Sequence, residues 1–305
     1  MRGAETLTRR LRRDWPLLAM VAPAIAVYVV FHYVPLLGNV IAFQSYSPYT
    51  GIGASPFVGL YNFERILTDP GFWQAAVNTV TITLFQLVFY FPVPVLLALL
   101  LHSLLSARLR MLVQSVVYLP HFFSWVLVIT LFQQVLGGTG AVNTFLRAQG
   151  AQPLDIMNDP DLFLGLVTLQ SVWKDAGWGT IIFLAALSTV DSSLYEAAAV
   201  DGAGRWRRLW HVTLPALVPV VVLLLILRLG DALSVGFEQF LLQRDAVGAD
   251  TAEVLDTYVY FTGVVNNDWS YAAAAGLVKG VVGLLLIVGA NKLAHVFGQA
   301  GVYQR

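Results

Sequence analysis

Six apolar runs interrupt this chain, and each is about as long as a bilayer core is thick. They cover residues 16–43, 75–101, 111–136, 162–187, 214–233 and 271–296. A helix needs roughly 20 apolar residues to cross the hydrocarbon core. Runs of this length predict an all-α, polytopic membrane protein with six transmembrane helices. A large soluble protein is the competing reading, and composition argues against it. Only 12% of the residues are charged, against about 25% in ordinary soluble chains, which is too few to cover a water-facing surface.

The distribution of positive charge tests the count. Arg2, Arg9, Arg10, Arg12 and Arg13 precede the first run. Arg108 and Arg110 lie between the second and third, Arg205, Arg207 and Arg208 between the fourth and fifth, and Lys292 and Arg305 at the end. With six spans, these twelve fall on one side and only Arg65, Arg147 and Arg244 on the other. The positive-inside rule then places both termini in the cytoplasm. Residues 1–15 form a basic cytoplasmic N-terminus, and 16–305 a single transmembrane domain. A basic end before an apolar stretch also suits a secretory signal, but the first run is too long for a signal core. Pro23 and Pro35 are expected to bend that span.

The longest polar interruption with helix-forming character is the segment 191–215. Asp191, Ser192 and Ser193 are good N-cap types, and Ser193 with Glu196 has capping-box spacing. Leu194, Ala197 and Ala198 share one face. Gly202 and Gly204 then end the helix, since glycine adopts left-handed backbone without steric cost. A second, basic helix over about 205–212 is expected to lead to Leu214 and Pro215. Lipid headgroups alone account for the three arginines. They do not account for Glu196-Ala197-Ala198 followed by Asp201-Gly202-Ala203 and then Leu214-Pro215.

That pattern resembles the cytoplasmic signature of permease subunits of binding-protein-dependent ABC importers. Further stretches (FHYVPLLGNVIAFQSYSP, VGLYNFERIL, YLPHFFSWV and WKDAGWGTIIFLAALS) are similar to the carbohydrate-uptake branch, among permeases related to the larger maltose subunit. No large insertion of the maltose type is present. The resemblance implies the type I importer fold and a heterodimeric pore made with a second permease subunit. It implies two cytoplasmic ATPase subunits and an extracytoplasmic solute-binding protein that delivers an oligosaccharide. In it, Glu196, Ala197, Ala198, Asp201, Gly202, Ala203 and Pro215 form the ATPase-coupling segment. Glu196 is the polar docking contact, Ala197 and Ala198 the close-packing face, and Gly202 the turn. The chain has no Gly-x-x-x-x-Gly-Lys-Ser/Thr loop, so ATP and Mg are expected on the ATPase partners, with no cofactor here.

Charges inside a span cost about 2.5–3.5 kcal/mol on insertion scales and mark paired or functional sites. Lys174 and Asp175, Arg228 and Asp231, and Lys279 qualify. Arg228 and Asp231 are three apart and are expected to pair with each other or to lie near the outer membrane surface, rather than to bind solute. Trp173, Lys174, Asp175 and Trp178 combine aromatic faces with polar groups, as a sugar path needs. The same tryptophans also suit interfacial anchors, and both readings stay open. Asn78, Thr79, Thr81, Thr83 and Gln86 are expected to bond between helices rather than line a channel. No catalytic constellation or metal site is visible. Cysteine is absent and the net charge is zero, so neither a thiolate site nor nucleic-acid binding is indicated. A permease for another solute, such as a glycerol phosphodiester, remains the alternative. An integral-membrane enzyme would need convergent acids or histidines.

Overall fold

The computed structural model describes residues 7–296, which leaves Arg2 and Arg305 of the charge count outside the described residues. Among the described residues there is no strand, only one isolated bridge between Gln44 and Phe57. Five helical stretches are long and apolar enough to cross a membrane: Asp14–Phe43, Pro70–Ser103, Trp125–Ala148, Arg205–Gly230 and Trp269–Val296. A sixth is the pair Pro160–Ser188 and Ser192–Val200, bent by 67°. The first helix of that pair has 29 residues. At 1.5 Å per residue it is about 43 Å long, enough to cross a bilayer without its bent neighbour.

The described residues fall into two compact units: those up to Thr68 with Thr262–Leu277, and Asp69–Phe261 with those from Val278 onward. In the first unit, the opening span runs as an α-helix over Leu7–Tyr28. It widens into a π-turn at Val29–Tyr33 and tightens into a 3-10 turn at Asn39–Phe43. The π-turn ends at Tyr33, two residues before Pro35. A proline lacks an N–H and its ring crowds the carbonyl four residues back, so the wider turn accommodates it. Pro23 lies inside the helix without such a break. Side chains from Trp15 to Leu37 are exposed on every side of this span. Beyond it, Asn62 donates to the carbonyls of Ala42 and Gln44 at 2.9 and 3.0 Å. Arg65 pairs with Asp268 at 2.7 Å and stacks over Tyr271. The hydrogen bond that Arg65 donates to Asp268 holds its proton more tightly than usual.

In the second unit, proline again breaks the spans. Asp69 caps the second span, which starts at Pro70 rather than near residue 75, its Oδ1 accepting from the Gly71 N–H at 2.8 Å. It breaks at Tyr90 and Phe91 before Pro92, and the Gln86 carbonyl accepts from both residues at the break. The third span is not one helix over 111–136. It runs as Ala107–Tyr118, turns through a 3-10 segment at Leu119–Phe122 containing Pro120, and restarts at Trp125 under a Ser124 cap. The fourth span packs closely on its neighbours through small residues. A Cβ on Gly177 would lie 2.1 Å from the Val117 carbonyl oxygen, and one on Gly179 would meet the Pro94 ring.

The stretch 236–270, expected as a loop, is largely helical, with helices Phe237–Val247, Ala249–Ala252 and Leu255–Tyr260. Phe240, Val247, Ala252 and Val254 join Ile82, Phe163 and Val167 in one buried cluster. Its acidic residues drew attention away from these apolar ones. Gln170, Gln239 and Gln243 lock the cluster from beside it. Gln170 Oε1 accepts from Gln239 and Gln243, and Gln170 Nε2 donates to Gln243 Oε1, all at 2.9–3.0 Å.

Candidate functional site

The segment 191–215 begins with a rigid, self-capped helix, Ser192–Val200. Its N-cap is Asp191, whose Oδ1 accepts from the Ser193 N–H at 2.9 Å. That bond holds the Asp191 carboxyl below the usual carboxylate range. The expected Ser193–Glu196 capping box therefore does not form. A carboxylate at the earlier position accepts more strongly than a hydroxyl, and Ser193 becomes an interior residue. At the other end, Gly202 has φ +72°. Its N–H bonds the Ala199 carbonyl at 3.1 Å, and the Ala203 N–H bonds that of Ala198 at 2.8 Å. These two bonds are the Schellman pair.

No residue of this helix is buried. Tyr195 and Ala198 face their own chain, and the Tyr195 hydroxyl reaches Thr213 at 3.1 Å. Glu196, Ala197 and Val200 point outward, Val200 being 89% exposed. Asp201 is the exposed C-cap, and Ala203 accepts a bond from Arg208 Nε through its carbonyl. The second half is not a separate short helix. Arg205–Arg208 runs through a π-turn at Leu209–Thr213 straight into Leu214–Gly230, one 26-residue stretch. The π-turn again ends two residues before a proline, here Pro215. The basic residues therefore open the fifth span rather than forming a hairpin arm.

The candidates on the fourth span separate. Lys174 is buried; its Nζ donates to the His121 carbonyl at 2.8 Å and lies 3.8 Å from Asp175. Asp175 Oδ1 lies 2.8 Å from His121 Nδ1, and the His121 ring stacks on Trp178 at 4.4 Å with planes 6° apart. Trp173 belongs to a different aromatic group, with Phe123 and Phe132. The break in the third span brings His121 to this site. Nothing local in the sequence pairs His121 with Asp175 or Trp178, and the one available signal is its place after Pro120. Exposed Trp178 and half-exposed Asp175 offer a stacking face beside an acceptor, which is chemistry suited to a hydroxylated ring.

The expected Arg228–Asp231 pair is not formed. Arg228 donates instead to Gln86 Oε1 at 2.6 Å, because Gln86 on the second span comes within reach. Lys279 pairs with Asp256. The polar face of the second span bonds to protein, as expected. Asn78 donates to the Asp250 and Glu253 carbonyls, Thr79 accepts from the Leu255 N–H, and Thr83 donates to the Ala232 carbonyl. Among the described residues, no three metal-ligating side chains converge.

Membrane-length helices broken at prolines, with a capped and uncovered short helix between two of them, define a polytopic membrane permease. The chain belongs to the family described as binding-protein-dependent transport system inner membrane component, whose model matches residues 90–297. It is 44% identical over 288 residues to the polygalacturonan/rhamnogalacturonan transport system permease protein YteP of Bacillus subtilis (strain 168), covering 94% of this chain and 90% of that one. It is 42% identical over 294 residues to Protein LplB of the same organism, covering 96% and 92%. Among solved structures, it matches a chain of the bacterial alginate ABC transporter in complex with alginate pentasaccharide-bound periplasmic protein. The TM-score is 0.88 at 36% identity, covering 98% of this chain and 100% of that one. The fold is that of a type I ABC importer permease, and the protein is a multi-pass membrane protein.

Proposed function

We propose that this chain is one half of the translocation path of an ATP-driven oligosaccharide importer, coupled to its motor through Ser192–Val200. The observation that carries the reading is that helix. It is capped at both ends, uncovered by its own chain, and joined directly to the fourth and fifth spans. A rigid helix so placed transmits a push or pull to both spans. Glu196, Ala197 and Val200 present the outward face to a cytoplasmic ATPase subunit. Ala198 sets the helix close to its own chain, and Gly202 holds the turn. Asp201, Ala203 and Pro215 complete the coupling segment at its exit. Two such ATPases bind ATP and Mg, and this chain holds no cofactor of its own. A second permease subunit completes the pore, and an extracytoplasmic binding protein delivers the solute. The charge split orients both termini and the coupling segment toward the cytoplasm.

The solved neighbour is an alginate importer with a periplasmic protein carrying a pentasaccharide, and one relative is a polygalacturonan/rhamnogalacturonan permease. Both support an oligosaccharide solute. Along the path, Trp178 and Asp175 face the sugar, with Trp173 beside them and Lys174 bracing His121.

The test is uptake and ATP hydrolysis by the reconstituted complex. Glu196→Lys is expected to abolish uptake through loss of ATPase docking. Gly202→Ala puts a Cβ on a left-handed residue, at a cost of about 1–2 kcal/mol, and is expected to weaken coupling. Gly202→Asn is expected to retain more of it, since asparagine enters that region more readily. Full uptake by Glu196→Lys and Gly202→Ala would refute the coupling role.

A further inference from the structure

Within its spans, the second unit holds a group of hydrogen-bond donors that shares a single side-chain acceptor. Arg228 lies in the last turn of Leu214–Gly230. One of its nitrogens donates to Gln86 Oε1, and the guanidinium lies 6.0 Å from the centre of the Tyr90 ring. Among the described residues no carboxylate pairs with Arg228, whereas Lys174 lies near Asp175, Lys279 bonds Asp256 and Arg244 bonds Glu253. The end of its helix supplies only the partial negative charge of a few carbonyls. Because the guanidinium takes Gln86 Oε1, the amide must turn Nε2 the other way. That nitrogen is buried and has no partner.

Arginine has five N–H donors and no acceptor capacity. Together with Gln86 Nε2 it forms a donor group with a full positive charge and no counter-charge. An intramembrane cation left in this state marks a functional site. A sugar hydroxyl would satisfy one donor and leave the charge. A carboxylate satisfies two donors and the charge together, in the forked geometry that guanidinium favours.

We infer that the solute is an acidic oligosaccharide, of the uronate type, and that Arg228 reads its carboxylate with Gln86 as the positioning residue. This deepens the import reading and rests on it. The test is uptake by the reconstituted complex, with its binding protein saturating, of tetragalacturonate and of its methyl ester. The ester keeps the sugar and removes the charge. Arg228→Gln is expected to cut uptake of the acid at least tenfold more than that of the ester. Arg228→Lys is expected to retain part of the preference through its charge, and gel filtration confirms that each variant assembles. Equal loss of both probes in Arg228→Gln would overturn the inference and assign Arg228 to structure or to a carboxylate of the second permease. Equal uptake of both probes by the wild type and by Arg228→Gln would also overturn it, leaving oligosaccharide import intact. A wild-type complex that imports neither would overturn the import reading itself.

Discussion

At the scale of single residues, Lys174 shows how burial decides a role that spacing leaves open. Its position four residues before Trp178 places both on one face, as a solute site would need. Its ammonium is buried on the His121 carbonyl, in the middle of the broken third span, where the backbone has lost helical partners. A buried carbonyl left without a donor costs about 1–3 kcal/mol. Lys174→Met is therefore expected to lower the thermal unfolding midpoint of the detergent-solubilised protein by a few degrees. An unchanged midpoint with a raised uptake KM would instead make Lys174 a solute contact. Gln86, expected to bond between helices, fits that role only in part. Its oxygen bonds between helices as expected, but its nitrogen stays unpartnered.

At the scale of elements, prolines decide where helices break. Pro35 and Pro215 each follow a π-turn, Pro92 follows the break in the second span, and Pro120 sits in the 3-10 turn of the third. The positions were visible in the sequence. The kind of break was not, because it depends on which neighbour satisfies the freed carbonyl. The glutamine network shows the same limit. Gln170 lies on an evident span, but Gln239 and Gln243 lie in a stretch that reads as an acidic loop. Nothing local says that the three meet. Gln170→Leu would remove one of the two acceptors of each of the Gln239 and Gln243 amides, which keep their bonds to the Val167 and Gln239 carbonyls, and would leave Gln243 Oε1 without its Gln170 donor, at a cost of about 1–3 kcal/mol. It is expected to loosen Phe237–Val247, measured as faster hydrogen exchange there while Ser192–Val200 exchanges as before. Unchanged exchange would show that the apolar cluster alone holds that helix.

At the scale of the whole molecule, orientation is the property most open to a direct test. The chain has no cysteine, so single cysteines report without background. Val200→Cys is expected to react with a membrane-impermeant maleimide only in inside-out vesicles, and Gln152→Cys only in intact spheroplasts. Swapped labelling would invert the topology. Among the described residues five helices are long and apolar enough to cross a membrane, or six with the bent pair, and the expected sidedness rests on the arginines alone.

Length and hydropathy of the six runs determined the membrane class, because a bilayer admits few solutions to backbone hydrogen bonding. The candidate coupling segment was legible in part: its glycine turn and an N-cap among Asp191–Ser193 are local chemistry readable along the chain, whereas the expected Ser193–Glu196 capping box and separate second helix do not form. The charged residues within the spans were visible as residues but not as partners. Arg228 lies three residues from Asp231 and still bonds Gln86, 142 positions away. Only the packing of the second span against the fifth decided that. A side chain inside a membrane takes the nearest group able to satisfy it, and nearness there is set by how helices pack, not by separation along the chain.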